Sequence, residues 1–593
     1  MAGIKYHEAQ DIKFNVKKIC FVLGMSHVNL ERVYCIRSHE SSSRNIIARC
    51  HALPKILQQV LEIEPAYVIE ILSEKYDKMP EEEQIKTLIH ELCLPKEENI
   101  VIESNEGITI QPIGDFIDKE FKKSKKINKS NSIEWIIPNE EYRVFSYDFQ
   151  KEEVKLNQIN KLIRRKNKNK TTVEITSRDG RVITTSPEHP VLFTKNLNSY
   201  KTPKRKRVVV KNLPAKDILN QKGIPRLLEL FLLPQLDREI NEVNLAEIIK
   251  NNSQYNNLFI EKDYVYKKGV KGIKIPIRFK LDKELGFFFG LYLSEGSIDH
   301  KAGSVSFSFN KKEKKYHEFV KKILEKRFGA KPKERKLHKG SCIVVYTYSR
   351  LLQEVISDIL GFYQKARCKK IPSFVYYSPT EFVAGIVDGW FAGDGYASYN
   401  PKIKAVTISA FSKSKELIFG MLLLLAKLGI ACRLRRKQQD IRIQSFFVPK
   451  FYNHCKSLID SKNMKTKVLS IKKMKHEDRI KHLRFLKIRK VQLKEYRGKY
   501  FYNLEVDKNN NFMHASGIFT HNCHIPKTFG GGFRHHDFVN RRTIDKLYKE
   551  FKKNEKYFTE QRPVPKPSVT IPEEDDKKSE DFSNQNSLFD FSS

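Results

Sequence analysis

Two cysteines, a histidine and an asparagine stand where peptide bonds could be rearranged. Cys93 follows Ile89-His90-Glu91-Leu92, and His521-Asn522-Cys523-His524 lies near the far end of the chain. Cysteine is a strong nucleophile that is partly thiolate near neutral pH, and an asparagine side-chain amide can attack its own carbonyl carbon. Deleting residues 93–522 joins Leu92 to Cys523 and writes His-Glu-Leu-Cys-His, a string the unbroken chain lacks because Cys93-Leu94 supplies no second histidine. On a helix, His90 and His524 would then share one face at i and i+4. Two imidazoles chelate Zn²⁺ from that geometry, with Glu91 as general base toward the metal's water.

The text between the two cut points carries further chemistry. Arg181-Val-Ile-Thr-Thr-Ser-Pro-Glu-His-Pro-Val-Leu-Phe193 offers a hydroxyl at Ser186 and an imidazole at His189. Together with Cys93-Leu-Pro-Lys through Ile113, Phe501–Val506 and Asn511–Asn522, it resembles the splicing blocks of an archaeal intein, a Hint domain interrupting a host protein. The resemblance implies an all-β horseshoe and a sequence of acyl transfers. Cys93 would attack the Leu92 carbonyl, with Ser186 and His189 activating the amide, and Cys523 would take over the acyl group. Asn522 would then cyclise with acid–base assistance from His521, and an S-to-N shift would complete the Leu92–Cys523 bond. Splicing of this kind uses no cofactor. Ser186 stands where the family usually has threonine, and Asn503 where many inteins have an aspartate.

A second pair of strings matches internally. Leu285-Gly286-Phe-Phe-Phe-Gly290-Leu-Tyr-Leu-Ser-Glu295-Gly296 aligns with Ala384-Gly385-Ile-Val-Asp-Gly389-Trp-Phe-Ala-Gly-Asp394-Gly395, glycine on glycine and acid on acid. Glycines four residues apart share a helical face and permit two backbones to approach. An amphipathic stretch follows each string, Lys312–Phe328 and Ser414–Leu428, which suggests a duplication. The strings resemble the paired LAGLIDADG motif of homing endonucleases. That resemblance implies an α/β fold with an internal pseudo-twofold axis, Glu295 and Asp394 as Mg²⁺ ligands, and double-stranded DNA, an intein-less host allele, as substrate. Lys369, in Lys369-Lys370-Ile371-Pro372-Ser373, is the favoured basic residue, with Lys370 as rival and Lys404, read on the strand after the second motif, as a weaker candidate.

The remaining elements must position these groups. Chain length, at 593 residues, calls for several domains, read as host 1–92, splicing domain 93–215, linker or DNA-recognition region 216–280, endonuclease 281–465, splicing domain 466–522, host 523–561 and a disordered tail 562–593. The host is read as α+β, with strands Ile19–Leu23 and Ala66–Leu72, a helix Arg49–Leu61, and a helix that starts near Pro80 and carries Ile85, Leu88, Ile89 and Leu92 on one stripe. It resembles a zincin-like, SprT-like metallopeptidase, with His536 preferred over His535 as third zinc ligand. In the tail, Gln585-Asn-Ser-Leu588-Phe-Asp-Phe591 resembles a sliding-clamp-binding box. Lys+Arg of 110 against Asp+Glu of 70 gives a net charge of +40, suited to a polyanion, and Lys201–Arg207 is the most basic run. Nine scattered cysteines make no disulfide framework, so a reducing cytoplasm is expected. The longest apolar run, Phe419–Ile430, is too short to span a membrane. The competing reading is a basic, non-catalytic DNA-binding protein with a degenerate endonuclease and a host that only binds.

Overall fold

The computed structural model describes residues 94–522, apart from 131–132, 150, 168–169, 188, 195–209, 216–217, 219–224, 268–271, 338–339, 363–364, 472–478, 481 and 510. Outside that span it describes only 5–10, 12–13, 16, 33–39, 48–52 and 67–72. The chain divides into two compact units, 1–88 with 541–593, and 89–540. No helix among the described residues is long and apolar enough to cross a membrane.

In the first unit, four strands form one sheet in the order Lys5–Glu8, Val33–His39, Tyr67–Leu72, Ala48–Ala52. Val33–His39 and Tyr67–Leu72 run parallel and the other pairs antiparallel. The strand expected at Ala66–Leu72 is present. The helix expected at Arg49–Leu61 does not begin at Arg49, because Ala48–Ala52 pairs with Tyr67–Leu72, Cys50 opposite Ile69, and residues 53–61 lie outside the described residues. The alternation Ala48, Cys50, Ala52 fits a period of two as well as a helical turn does, and cross-strand pairing decides between them. The strand Ile19–Leu23 and the helix expected after Pro80 lie outside the described residues.

The second unit begins with a β fold built on two long strands, each shared by two sets of neighbours. Glu153–Lys166 pairs with Arg143–Asp148 through its first half and with Ile133–Ile136 and Tyr500–Val506 through its second. A β-bulge between Ile159 and Lys161 separates the halves, re-aiming the strand where it changes partners. Leu483–Glu495 behaves likewise, pairing first with Arg226–Leu230 and then with Thr171–Ser177. Each half has its own core. One gathers Leu94, Ile100, Phe116, Leu162, Leu504 and Phe512, the other Val173, Ile183, Val191, Phe193, Leu227 and Ile518. Both cores mix residues from the beginning and the end of the 94–522 span, so the fold closes only when its two ends meet. Helix α1, Ile113–Lys123, buries Phe116, Ile117 and Phe121 against the first core and carries Lys122 and Lys123 in its last turn, where the helix dipole favours cations. The strand Arg226–Leu230, in the stretch read as a linker, belongs to the splicing-type sheet.

Residues 283–443 repeat one plan. Helix α2 (Lys283–Glu295) runs into strands Gly296–Asp299 and Ser304–Asn310, then α3 (Lys314–Phe328) and strands Lys333–Leu337 and Cys342–Tyr348. Helix α4 (Thr380–Asp394) runs into Gly395–Asn400 and Ala405–Phe411, then α5 (Lys415–Lys427), Cys432–Arg435 and Asp440–Ile443. Both four-stranded sheets have the same strand order, with the two strands that follow the second helix exchanged in space. Ser304–Asn310 shows why each sheet sits as it does: Val305, Phe307 and Phe309 are buried, while Ser308 and Asn310 face solvent.

The two parts of this unit are seamed together beside the splicing-type blocks. The Leu434 amide donates to the Asp179 carbonyl at 2.7 Å, and the Val182 amide to Gln438 Oε1 at 3.0 Å. Tyr377 Oη donates to Glu103 at 2.6 Å.

Candidate active sites

The first site lies where both ends of the 94–522 span meet. Leu94–Pro95 pairs with Tyr500–Val506, Leu94 opposite Tyr502, and packs against Val182–Thr185. Pro190–Thr194 packs against Phe519–His521. These pairings bring Ser186, His189, Asn503, His521 and Asn522 into one buried region, all nine-tenths or more removed from solvent.

His189 is fully buried, and its Nε2 lies 2.5 Å from Thr520 Oγ1. Its Nδ1 is buried without a partner among the described residues. Burial, reinforced by the neighbouring His521, pushes its pKa down to about 3, so the imidazole is neutral at any working pH. His521 Nδ1 lies 2.8 Å from the carbonyl oxygen of Asn522, so the tautomer protonated there donates to the carbonyl of the bond that follows Asn522. Asn522 Nδ2 donates to the Asn509 carbonyl at 3.4 Å. Asn503 is fully buried; its Oδ1 accepts from the Leu504 amide at 2.7 Å, and its Nδ2 has no partner among the described residues.

The second site lies at the C-terminal ends of α2 and α4. A Cβ at Gly286 would collide with the Phe382 carbonyl, one at Gly290 with that of Ile386, one at Gly385 with that of Lys283, and one at Gly389 with that of Phe287. The spacing therefore does what it implied, letting two backbones touch. A Cβ at Gly393 would fall 3.0 Å from Glu295 Oε1, which sets the Glu295 carboxylate beside the residue preceding Asp394. Burial, with repulsion from Asp394 and Glu313, raises the Glu295 carboxyl to about 7. Asp394 is exposed, yet the packed helix ends beside it desolvate its carboxyl enough to raise it to about 6, Lys369 opposing the shift in both. Lys369 is itself buried; desolvation lowers it to about 8 against the pull of the two acids. Its ammonium donates to the carbonyls of Tyr292 at 3.2 Å, Ser294 at 3.4 Å and Gly296 at 2.9 Å, so its three N–H groups cap the helix end that carries Glu295. Lys370 is half-buried and lies near Glu416. Lys404 is not on a strand: it is an exposed turn residue with φ of 46° between Gly395–Asn400 and Ala405–Phe411. No group of three or more His, Cys, Asp or Glu side chains gathers to hold a metal among the described residues.

The family model for the intein splicing domain matches residues 81–522. The chain belongs to that family. A second model, described as "Putative phage metallopeptidase", matches residues 4–100. The chain is 28% identical over 361 residues to the DNA-directed RNA polymerase subunit Rpo1C of Methanocaldococcus jannaschii, covering 60% of this chain and 37% of that protein. It is 26% identical over 373 residues to the DNA polymerase II large subunit of Thermococcus kodakarensis, covering 57% of this chain and 20% of that one. It thus spans about a third or less of the length of these relatives. Among solved structures it is similar to a transcription factor IIB mini-intein, with 20% identity, 25% of this chain, 73% of that chain and a TM-score of 0.20. It is also similar to the homing endonuclease I-WcaI bound to its DNA recognition sequence, with 19% identity, 32% of this chain, 88% of that chain and a TM-score of 0.23.

Within the intein, the structure adds a residue that motif reading passed over. His514 is buried, with Nε2 2.8 Å from Glu98 Oε2 and Nδ1 2.7 Å from Ser516 Oγ. It bridges Ile100, and the next amide, Ala515, donates to the Asn99 carbonyl at 2.8 Å. The His514–Glu98 pair therefore clasps the first hairpin of the intein to its last strands, a contact that no local spacing announces. Cys93, Cys523, His90, Glu91, His524, His535, His536, the Lys201–Arg207 run and Gln585–Phe591 lie outside the described residues.

Proposed function

We propose that the chain is a precursor that excises residues 93–522 by protein splicing and joins Leu92 to Cys523. The observation that carries this reading is His521 Nδ1 at 2.8 Å from the Asn522 carbonyl oxygen, within the span matched by the intein family. Cys93 Sγ attacks the Leu92 carbonyl carbon, the Leu92–Cys93 C–N bond breaks, and the departing nitrogen takes up a proton with assistance from His189, Ser186 supplying a hydroxyl nearby. Cys523 Sγ displaces Cys93 Sγ at the same carbonyl. Asn522 Nδ2 then attacks its own main-chain carbonyl carbon, forming a succinimide and releasing the Cys523 amine. A hydrogen bond from His521 to that carbonyl oxygen withdraws electron density and stabilises the charge that develops there. The freed amine attacks the thioester, and the Leu92–Cys523 peptide bond results. The Asn522→Ala chain, expressed and weighed by mass spectrometry, should contain no ligated host; a ligated mass from this variant would exclude the reading.

The same intein is proposed to cut double-stranded DNA at an intein-less host allele, as a LAGLIDADG homing endonuclease. The support is the duplicated plan, the glycine contact of α2 with α4 and the two acids at its end, Glu295 half-buried and Asp394 exposed. Glu295, half-buried, and Asp394, open to solvent, are hard oxygen donors raised by partial desolvation, a state that nearby positive charge relieves, and this fits Mg²⁺. The ion, when bound, would stabilise negative charge at a scissile phosphate. Lys369 holds the Glu295-bearing helix end in place and keeps one cation beside both acids. The spliced host is proposed to be a zinc metallopeptidase using His90, Glu91, His524 and His536, a reading supported by the metallopeptidase model over 4–100. A tail contact with a sliding clamp through Gln585–Phe591 and a cytoplasmic location complete the proposal.

A further inference from the structure

Thr520 does not belong to the groups that perform splicing, yet it touches one of them. Its Oγ1 is 2.5 Å from His189 Nε2, and both side chains are buried to 1% exposure or less. Thr520 sits on the strand Phe519–His521, opposite Phe512 and two residues before the scissile asparagine. His189 comes from a distant part of the sequence, between the Val182–Thr185 strand that packs on Leu94–Pro95, immediately after Cys93, and the Pro190–Thr194 strand that packs on Phe519–His521. The other imidazole nitrogen, Nδ1, is buried with no partner among the described residues.

A neutral imidazole has one donor and one acceptor nitrogen, and the partner of one fixes the role of the other. A threonine hydroxyl that donates to Nε2 makes Nε2 the acceptor and leaves the proton on Nδ1. We infer that Thr520 is a positioning residue that holds His189 in the Nδ1–H tautomer, so that the nitrogen left open can donate to the amide at the first splice junction. This rests on the splicing role proposed for His189. It ties the first acyl shift to the last strand of the intein: seating Phe519–His521 favours the working tautomer of His189, so the upstream bond reacts faster once the downstream junction is in place.

The test uses the full chain in the Asn522→Ala background, where ligation is blocked and the upstream thioester is read as cleavage by added dithiothreitol. His189→Ala should abolish cleavage, Thr520→Val should slow it about tenfold, and Thr520→Ser, which keeps the hydroxyl, should restore it. Nitrogen-15 spectra of the histidine-labelled background protein should show a pyridine-like Nε2 and a pyrrole-like Nδ1 at His189, altered in Thr520→Val. A pyrrole-like Nε2 in the background protein, or Thr520→Val cleaving at the parental rate, overturns the inference while leaving the His189 role standing. Undiminished cleavage by His189→Ala removes the underlying reading instead.

Discussion

The splicing centre is buried, whereas the acids at the α2/α4 helix ends sit at the rim of a packed core, Glu295 half-buried and Asp394 exposed, and desolvation acts on the two sites with opposite sign. At the first, water exclusion lowers an imidazole to about 3; at the second, partial desolvation raises two carboxyls to about 7 and about 6. In each case the low-dielectric interior favours the neutral form. The splicing centre therefore holds His189 uncharged, where it works through hydrogen bonds to the atoms of its own chain. The acid pair is left short of positive charge, which Lys369 supplies only in part while its N–H groups hold backbone carbonyls. One site carries its reactant within it; the other sets two acids beside a single cation already committed to backbone carbonyls.

The sharpest way to break this comparison is a double dissociation. Asp394→Asn should abolish cleavage of junction-spanning DNA while ligated host still accumulates at the parental rate. His189→Ala should reduce upstream thioester formation by roughly 10²–10⁴-fold, the usual contribution of acid–base assistance, without altering DNA cleavage by the folded protein. Loss of both activities in either variant would mean that the sites are not separable. Next in size is the helix contact itself. Gly290→Val puts a branched side chain where a single Cβ already meets Gly389 Cα at 2.8 Å, and overpacking of that kind costs about 1–3 kcal/mol or more. Its thermal midpoint should fall by several degrees, and an unchanged midpoint would contradict the close approach of α2 and α4.

The pH dependence of stability separates the sites by sign. His189 has a folded pKa of about 3 against an ordinary 6.5, so between those values the unfolded chain binds the extra proton and stability rises with pH. Glu295 and Asp394 have folded values of about 7 and about 6 against 4.5 and 3.8. In that window the folded chain binds more protons, and stability falls as pH rises. Glu295→Gln with Asp394→Asn should thus steepen the gain in melting temperature from pH 4.5 to 6.5, whereas His189→Gln should flatten it. Mg²⁺ should raise the midpoint at pH 7.5 in the parent and not in the double variant.

The chemistry-bearing strings could be read directly because each is contiguous: Cys93 with Leu94, Ser186 with His189, His521 with Asn522, and the two glycine-acid strings. Apolar runs of helical length likewise sufficed for α2, α4 and α5, which are buried at most positions, and helical spacing for α3. What stayed hidden depends on which distant segments meet. The exchange of partners along Glu153–Lys166 and Leu483–Glu495, the assignment of Arg226–Leu230 to the splicing sheet, the His514–Glu98 clasp and the Thr520–His189 contact all join residues that no local pattern relates. Ala48–Ala52 shows the same limit from the other direction, since a few residues fit two periods and the neighbouring strand chooses. Lys404 lies in a turn for a local reason: Asn400-Pro401 opens it, and Lys404 closes it with a positive φ.

The smallest expected effect concerns Ser186, where the family more often has threonine. The residue is buried, and its carbonyl accepts the His189 amide at 3.0 Å, so its backbone fixes where the imidazole starts. Ser186→Thr keeps the hydroxyl and adds one methyl in a region where Thr185 and His189 are already enclosed. A hydroxyl role predicts an upstream cleavage rate within about threefold of the parent, because the hydrogen-bonding group survives and only packing changes. Ser186→Ala removes the hydroxyl without adding volume and should cost more, about tenfold if one hydrogen bond to the reacting amide is lost. The order of the two variants, measured by thiol-induced cleavage in the Asn522→Ala background, is the decisive reading. Threonine slower than alanine would mean that the pocket responds to volume and not to the hydroxyl, and His189 would then activate the amide without it.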